Sequence, residues 1–299
     1  MTRVSKDDWI PQGVDGLENR AWDALRETES SVLVTAGAGA GKTEFLAQKA
    51  AYLLQTGICP AHKRILAISF KKDAAHNLTE RVSKRCPRNQ ARRFDSMTFD
   101  AFTKGLLDRF RSAMPEPFNA PGAYQIVTPF SRDYDDFLER HGYRGISAQR
   151  LEKRVPLTDL PIDQDNGSEL HRALADYWHE QFFGGEEISL SFPMINRLVK
   201  LLLQENSYIR RALQATYPIV FLDEYQDTTY AQYDMLLTAF SGSDAVFTAV
   251  GDDKQRIMGW AGAMNDAFDQ FENDFGAGRI SLLSNWRSHE DLVRICLLY

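Results

Sequence analysis

The sequence predicts an α/β protein: a parallel sheet covered by helices on both faces and interrupted by a helical insertion. Three observations carry this. Short apolar runs alternate with helical patterns over the first hundred residues. A proline-punctuated linker then opens a largely helical stretch. Strand–helix alternation returns at Tyr217.

Taken in order, 31–36 reads as the first strand and 42–56 as the helix after it. Residues 64–69 (Arg-Ile-Leu-Ala-Ile-Ser) form a second strand before a helix over 71–85. A short third strand at 93–97 precedes a helix over 99–111. Pro115, Pro117 and Pro121 mark the linker, and the chain is largely helical from there to about Thr216. The best helix there carries Ile195, Leu198, Val199, Leu202 and Leu203 on one stripe, with Ser189 or Ser191 available as a cap. Strand 217–222, helix 228–240 and strand 244–250 follow. Lys42 and Asp223 lie 181 positions apart, far more than one strand–helix–strand unit needs, so the helical block is an insertion within the sheet domain. No internal repeat or low-complexity segment is evident.

At 299 residues with 43% hydrophobic content the chain can bury a sizeable core. No stretch approaches the ~18 consecutive apolar residues of a membrane span, and the N-terminus lacks the apolar stretch of a signal peptide. Cys59, Cys86 and Cys296 have no metal-binding spacing, and three lone cysteines suit the reducing cytoplasm. The net charge of −6 hides an asymmetry. Between His62 and Arg93 stand ten Lys/Arg and only two acids, Asp73 and Glu80. Such a run suits either a solvated face or phosphate contact.

The chemistry begins at Ala36-Gly37-Ala38-Gly39-Ala40-Gly41-Lys42-Thr43, between the first strand and its helix. Small residues let backbone N–H groups close around a β-phosphate, and the helix N-terminus adds partial positive charge. Lys42 would reach the β/γ-phosphates, and the Thr43 hydroxyl would take a position on Mg²⁺. Downstream, Ile219–Asp227 is an apolar strand ending in the paired carboxylates Asp223 and Glu224. The next strand ends in Gly251-Asp252-Asp253-Lys254-Gln255. Three polar clusters at strand ends in this order point to a nucleotide hydrolase, and the glutamines narrow it to a helicase-type motor.

The order AGAGAGKT (36–43), ILAISFKKDAA (65–75), SMTFDAF (96–102), FLDEYQD (221–227), AVGDDKQRIMGWAGA (249–263) and LLSNWRS (282–288) resembles the UvrD/Rep-type superfamily 1 DNA helicases, motifs I to IV. The resemblance implies a RecA-like P-loop sheet domain over 1–112 and 216–280, with the inserted helical 1B subdomain over 113–215. Residues 281–299 would begin a second RecA-like domain, and the chain would be an N-terminal portion of a longer helicase. It implies ATP and Mg²⁺, with Gly37, Ala38, Gly39, Ala40, Gly41, Lys42 and Thr43 around the phosphates and Thr43 and Asp223 at the metal. Glu224 resembles the general base, Gln255 the γ-phosphate sensor, Arg287 the residue that neutralises charge on the transferred phosphoryl group, and Trp286 the aromatic that stacks on adenine. Phe70, Lys71, Thr98, Phe99 and Trp260 match positions that contact DNA.

This sequence departs from the family in several places. Asp100 stands for a His and Ala261 for an Arg. Ala21 occupies the position of the adenine-reading Gln, with Gln12 well upstream of it. The implied function is ATP-driven 3′–5′ movement on single-stranded DNA or at a single-strand/duplex junction, in the cytoplasm, with a partner nuclease or a repair or defence protein. The alternative is a nucleotide-gated DNA-binding or sensor subunit without unwinding activity.

Overall fold

The structure, a computed structural model, describes residues 3–282 except 15, 38, 120–122, 164–166, 186 and 256–261. Among the described residues the strands are, in chain order, β1 (Val32–Ala36), β2 (Ile65–Ser69), β3 (Phe94–Thr98), β4 (Tyr124–Ile126), β5 (Ile188–Leu190), β6 (Ile219–Leu222), β7 (Val246–Gly251) and β8 (Gly278–Leu282). The expected strand ends shift by two residues or fewer. The helices expected at 42–56, 71–85 and 99–111 run Lys42–Gln55, Lys72–Arg85 and Phe99–Phe110.

Two compact units divide the chain, with boundaries after Phe99, Arg211, Thr229 and Ser241. The first holds a six-stranded, all-parallel sheet in the order β3-β2-β6-β7-β1-β8. Every residue of β1, β2 and β6 is buried, as expected of strands covered on both faces. The edge strands β3 and β8 are buried only in part. β8, and the helix Ala267–Phe275 before it, were not anticipated from the sequence.

Helix Lys42–Gln55 is buried almost all round, because the N-terminal segment packs over it. Trp9 meets Trp22 and Tyr52 edge-on, and its indole N–H donates to Gln55 Oε1 at 2.6 Å. The short helix Asn19–Arg26, also unanticipated, adds Ala21, Ala24 and Leu25 to the same core.

The second unit is mainly helical, with a small parallel pair formed by β4 and β5. In helix Phe192–Glu205 the expected stripe, Ile195, Leu198, Val199, Leu202 and Leu203, is buried. Ser191 stands at its N-cap, but the hydroxyl makes no capping bond. Pro193 in the first turn has no N–H to satisfy, which reduces the need for one. Helix Tyr230–Phe240, expected beside the sheet, falls in this second unit. Asp234 on it accepts from Arg197 at 2.9 Å and from Lys200 at 2.8 Å, and both cations are buried in Phe192–Glu205. Unpaired buried cations would be costly, so these bonds tie the two helices together.

Candidate nucleotide site

The candidate residues of the first unit collect at the carboxyl edge of the sheet, where open parallel sheets bind ligands. The loop after β1 makes the first wall. Gly39 and Gly41 have φ of 80° and 81°, a region that side chains with a Cβ seldom adopt. Gly41 is also the N-cap of Lys42–Gln55 and offers no capping side chain, so the N–H groups of the first turn remain for a ligand. Lys42 Nζ donates to the carbonyl of Ala36 at 3.2 Å.

A cavity of about 660 Å³ opens here. Gly37, Gly39, Ala40, Gly41, Lys42 and Thr43 line one side, Glu224 and Gln255 another, and Gly13, Val14, Gly16, Leu17 and Ala21 a third. That volume lies within the range of small-molecule and cofactor sites. Asp223 is buried directly after β6, and its backbone N–H donates to Ile68 at 2.9 Å. Burial first, and the neighbouring Glu224 second, push its carboxyl up to about 6, against the opposing pull of the Glu224 N–H and Lys42.

Among the described residues, no three His, Cys, Asp or Glu side chains are grouped to hold a metal ion. The donor set here is a hydroxyl, Thr43, and a carboxylate, Asp223. That suits Mg²⁺, which takes one or two protein oxygens and completes its shell with water and substrate phosphates. A divalent cation would also relieve the desolvated charge of Asp223, so the residues fit the group.

Glu224 has φ of 50°, the one non-glycine in the left-handed region among the described residues. Backbone strain of this kind costs on the order of 1–3 kcal/mol and concentrates at functional sites. Gln226, which the sequence reading quoted but gave no role, donates from Nε2 to Glu224 Oε2 at 2.9 Å. Glu44 also went unnoticed. It lines the cavity in the first turn of the helix, where a bare carboxylate would oppose a phosphate. Arg81 and Arg85 pair with it, the latter at 2.6 Å. Nothing in the local pattern of 81–85 marks that role, since the arginines reach it from another helix.

The DNA candidates divide by exposure. Phe70 (36% exposed) and Lys71 follow β2 at the surface, whereas Thr98 and Phe99 at the end of β3 are buried, at 9% and 8%. Phe99 therefore shows no open ring face for stacking in this conformation. Ala38, Trp260, Trp286 and Arg287 lie outside the described residues. The basic run over 62–93 is partly consumed within the fold. Arg64 pairs with Asp95, Lys63 donates to the carbonyl of Ala215, and Arg93 donates to the carbonyls of Cys59 and Pro60. Lys71, Lys72, Lys84, Arg88 and Arg92 remain exposed.

The sequence model of the UvrD/REP helicase N-terminal domain matches residues 17–276. The chain belongs to that family. Its relatives include the ATP-dependent DNA helicase PcrA of Leuconostoc citreum, 30% identical over 93% of this chain and 38% of the relative. DNA helicase II of Escherichia coli is 27% identical over 94% of this chain and 39% of the relative. The Rep helicase of the same organism is 29% identical over 88% and 40%. The chain thus spans about two fifths of the length of these relatives. The parallel sheet and the loop after β1 are those of a RecA-like helicase domain. No helix among the described residues is long and apolar enough to cross a membrane.

Proposed function

We propose that the chain is the ATP-binding and ATP-hydrolysing motor domain of a 3′–5′ DNA helicase that moves on single-stranded DNA, acts at single-strand/duplex junctions and resides in the cytoplasm. The observation that carries this is the meeting of the 37–43 loop, Glu224 and Gln255 around one cavity in a member of the UvrD/REP family. In this reading 1–112 and 216–280 form the RecA-like part and 113–215 the 1B-type insert, with 281–299 opening a second RecA-like domain.

The loop amides and Lys42 hold the β- and γ-phosphates of ATP. Thr43 and Asp223 hold Mg²⁺, which when bound neutralises charge on the phosphates. The Glu224 carboxylate orients the attacking water and accepts its proton. Gln255 contacts the γ-phosphate region from the turn after β7. Arg287 and Trp286 are assigned to transferred charge and adenine by resemblance, and Phe70, Lys71, Thr98, Phe99 and Trp260 to the DNA path. A partner nuclease or a repair or defence protein belongs to the same reading.

ATP turnover with and without single-stranded DNA, combined with nucleotide titration, tests it. Lys42→Ala is expected to abolish nucleotide binding, because it removes a contact to phosphate charge already present in the ground state. Glu224→Gln is expected to keep binding and lose turnover, because its role is in the transition state. Equal loss of binding in both variants would overturn the assignment, and retained turnover in Glu224→Gln would remove the base.

A further inference from the structure

We propose that Gln226 is a positioning residue for hydrolysis: one buried amide that aims the Glu224 carboxylate and anchors it to the turn directly after β7. The proposal rests on the reading of Glu224 as the group that accepts the water's proton.

Gln226 is 4% exposed, and both ends of its amide are engaged. Its Oε1 accepts from the backbone N–H of Asp252 at 3.0 Å, and its Nε2 donates to Glu224 Oε2 at 2.9 Å. The assignment of the two ends follows from the partners. A backbone N–H only donates and a carboxylate only accepts, so oxygen must face Asp252 and nitrogen must face Glu224. Glu224 needs such a hold, because its backbone sits at φ 50°.

The anchor is itself well built. The Asp252 carboxylate accepts from the Lys254 N–H at 3.0 Å, and the Asp252 carbonyl accepts from the Gln255 N–H at 3.2 Å. Gln226 therefore joins Glu224 to the same turn that carries Gln255 to the cavity. Gly251 leaves room for this. A Cβ there would come within 2.8 Å of Gln226 Oε1 and 2.9 Å of the Phe268 ring. The amide passes through a gap that any side chain at 251 would close.

Three variants of the full chain test this, each measured for kcat, KM and nucleotide affinity. Gln226→Leu keeps the bulk and removes both bonds. It is expected to lower kcat by about 10–100-fold, the size expected for a misplaced reacting group, with nucleotide affinity held within about twofold. Gln226→Glu keeps an acceptor for Asp252 but sets a carboxylate against Glu224, and it should fall as far. This separates aiming Glu224 from merely filling the gap. In a Glu224→Gln background, Gln226→Leu should add no further loss, since residues acting through one another are not additive.

Unchanged kcat in Gln226→Leu overturns the proposal. So does parallel loss of kcat and nucleotide binding, which marks a structural role. Multiplicative losses in the double variant would show that Gln226 acts apart from Glu224. If Glu224→Gln alone turns ATP over normally, the reading of Glu224 fails instead, and the two failures are distinct.

Discussion

Lys49 is a cationic residue buried in the core of the first unit. Its side chain lies inside the core at 1% exposure, with Nζ donating to the carbonyl of Ala24 at 2.8 Å. Burial depresses its pKa from 10.5 to about 7, against a weaker pull from Glu27. Between about pH 7 and 10.5 the unfolded chain holds a proton that the folded chain has released. Stability attributable to Lys49 therefore rises with pH across that window and is flat below it. Burial pushes the thiols of Cys59 and Cys86 the other way, Cys86 to about 11, and they oppose the trend at the alkaline end. The clean measurement is the difference between wild type and Lys49→Met in denaturant unfolding at several pH values. The variant should gain on wild type as pH falls from 10 to 7, by roughly several kcal/mol at one pKa unit per ~1.4 kcal/mol. A difference that does not change with pH would mean that Lys49 stays charged in the core.

At the scale of elements, helix Lys42–Gln55 serves the site from both sides. Its N-terminus faces the cavity, while its buried polar residues pin the N-terminal segment that forms the opposite wall. Gln48 does this most directly. It accepts from the Gln12 N–H at 3.1 Å and donates to the Gln12 carbonyl at 2.7 Å, and Arg85 adds a bond to that carbonyl at 3.2 Å. The next residues, Gly13, Val14, Gly16 and Leu17, line the cavity. Ala21, where the resemblance puts a glutamine, lines the same cavity. Gln48→Ala is expected to weaken ATP binding about fivefold for each lost bond worth a net ~1 kcal/mol, with kcat nearly unchanged. Isothermal titration beside turnover checks this. Loss of kcat at unchanged affinity would instead connect the segment to the chemistry.

For the molecule as a whole, the proposed reading lays two sets of candidates side by side along one sheet edge. The nucleotide candidates follow β1, β6 and β7, and the DNA candidates Phe70, Lys71, Thr98 and Phe99 follow β2, which adjoins β6, and the edge strand β3 beyond it. Internal pairing of Arg64, Arg81, Arg85 and Arg93 removes much of the basic run from any DNA contact. Lys71, at the surface after β2, stays available. Single-strand affinity should fall with salt with a log–log slope of about −0.7 per phosphate neutralised. Lys71→Ala should flatten that slope by somewhat less than one unit. Phe70→Ala should leave the slope alone and lower affinity by roughly tenfold, since a stacked base is worth ~1–3 kcal/mol. Titrations at several salt concentrations decide it: an unchanged slope in Lys71→Ala would place the DNA elsewhere.

Local pattern determined much of this protein. The apolar runs of β1, β2, β6 and β7, the small-residue loop before Lys42 and the carboxylates after β6 announce a parallel sheet with polar ends, because each is encoded within a few adjacent residues. The 181-residue gap between Lys42 and Asp223 likewise required an insertion. What lies between distant residues was decided only by the tertiary structure. β8 at the edge is half-exposed and weakly patterned, and Tyr230–Phe240 joined the helical unit because Asp234 meets two buried cations there. The burial of Phe99, the arginines that neutralise Glu44 and the amide of Gln226 between Glu224 and Asp252 arise from contacts between separate elements. Hydrogen bonds and burial depend on what stands opposite a side chain, and sequence pattern reports only its neighbours along the chain.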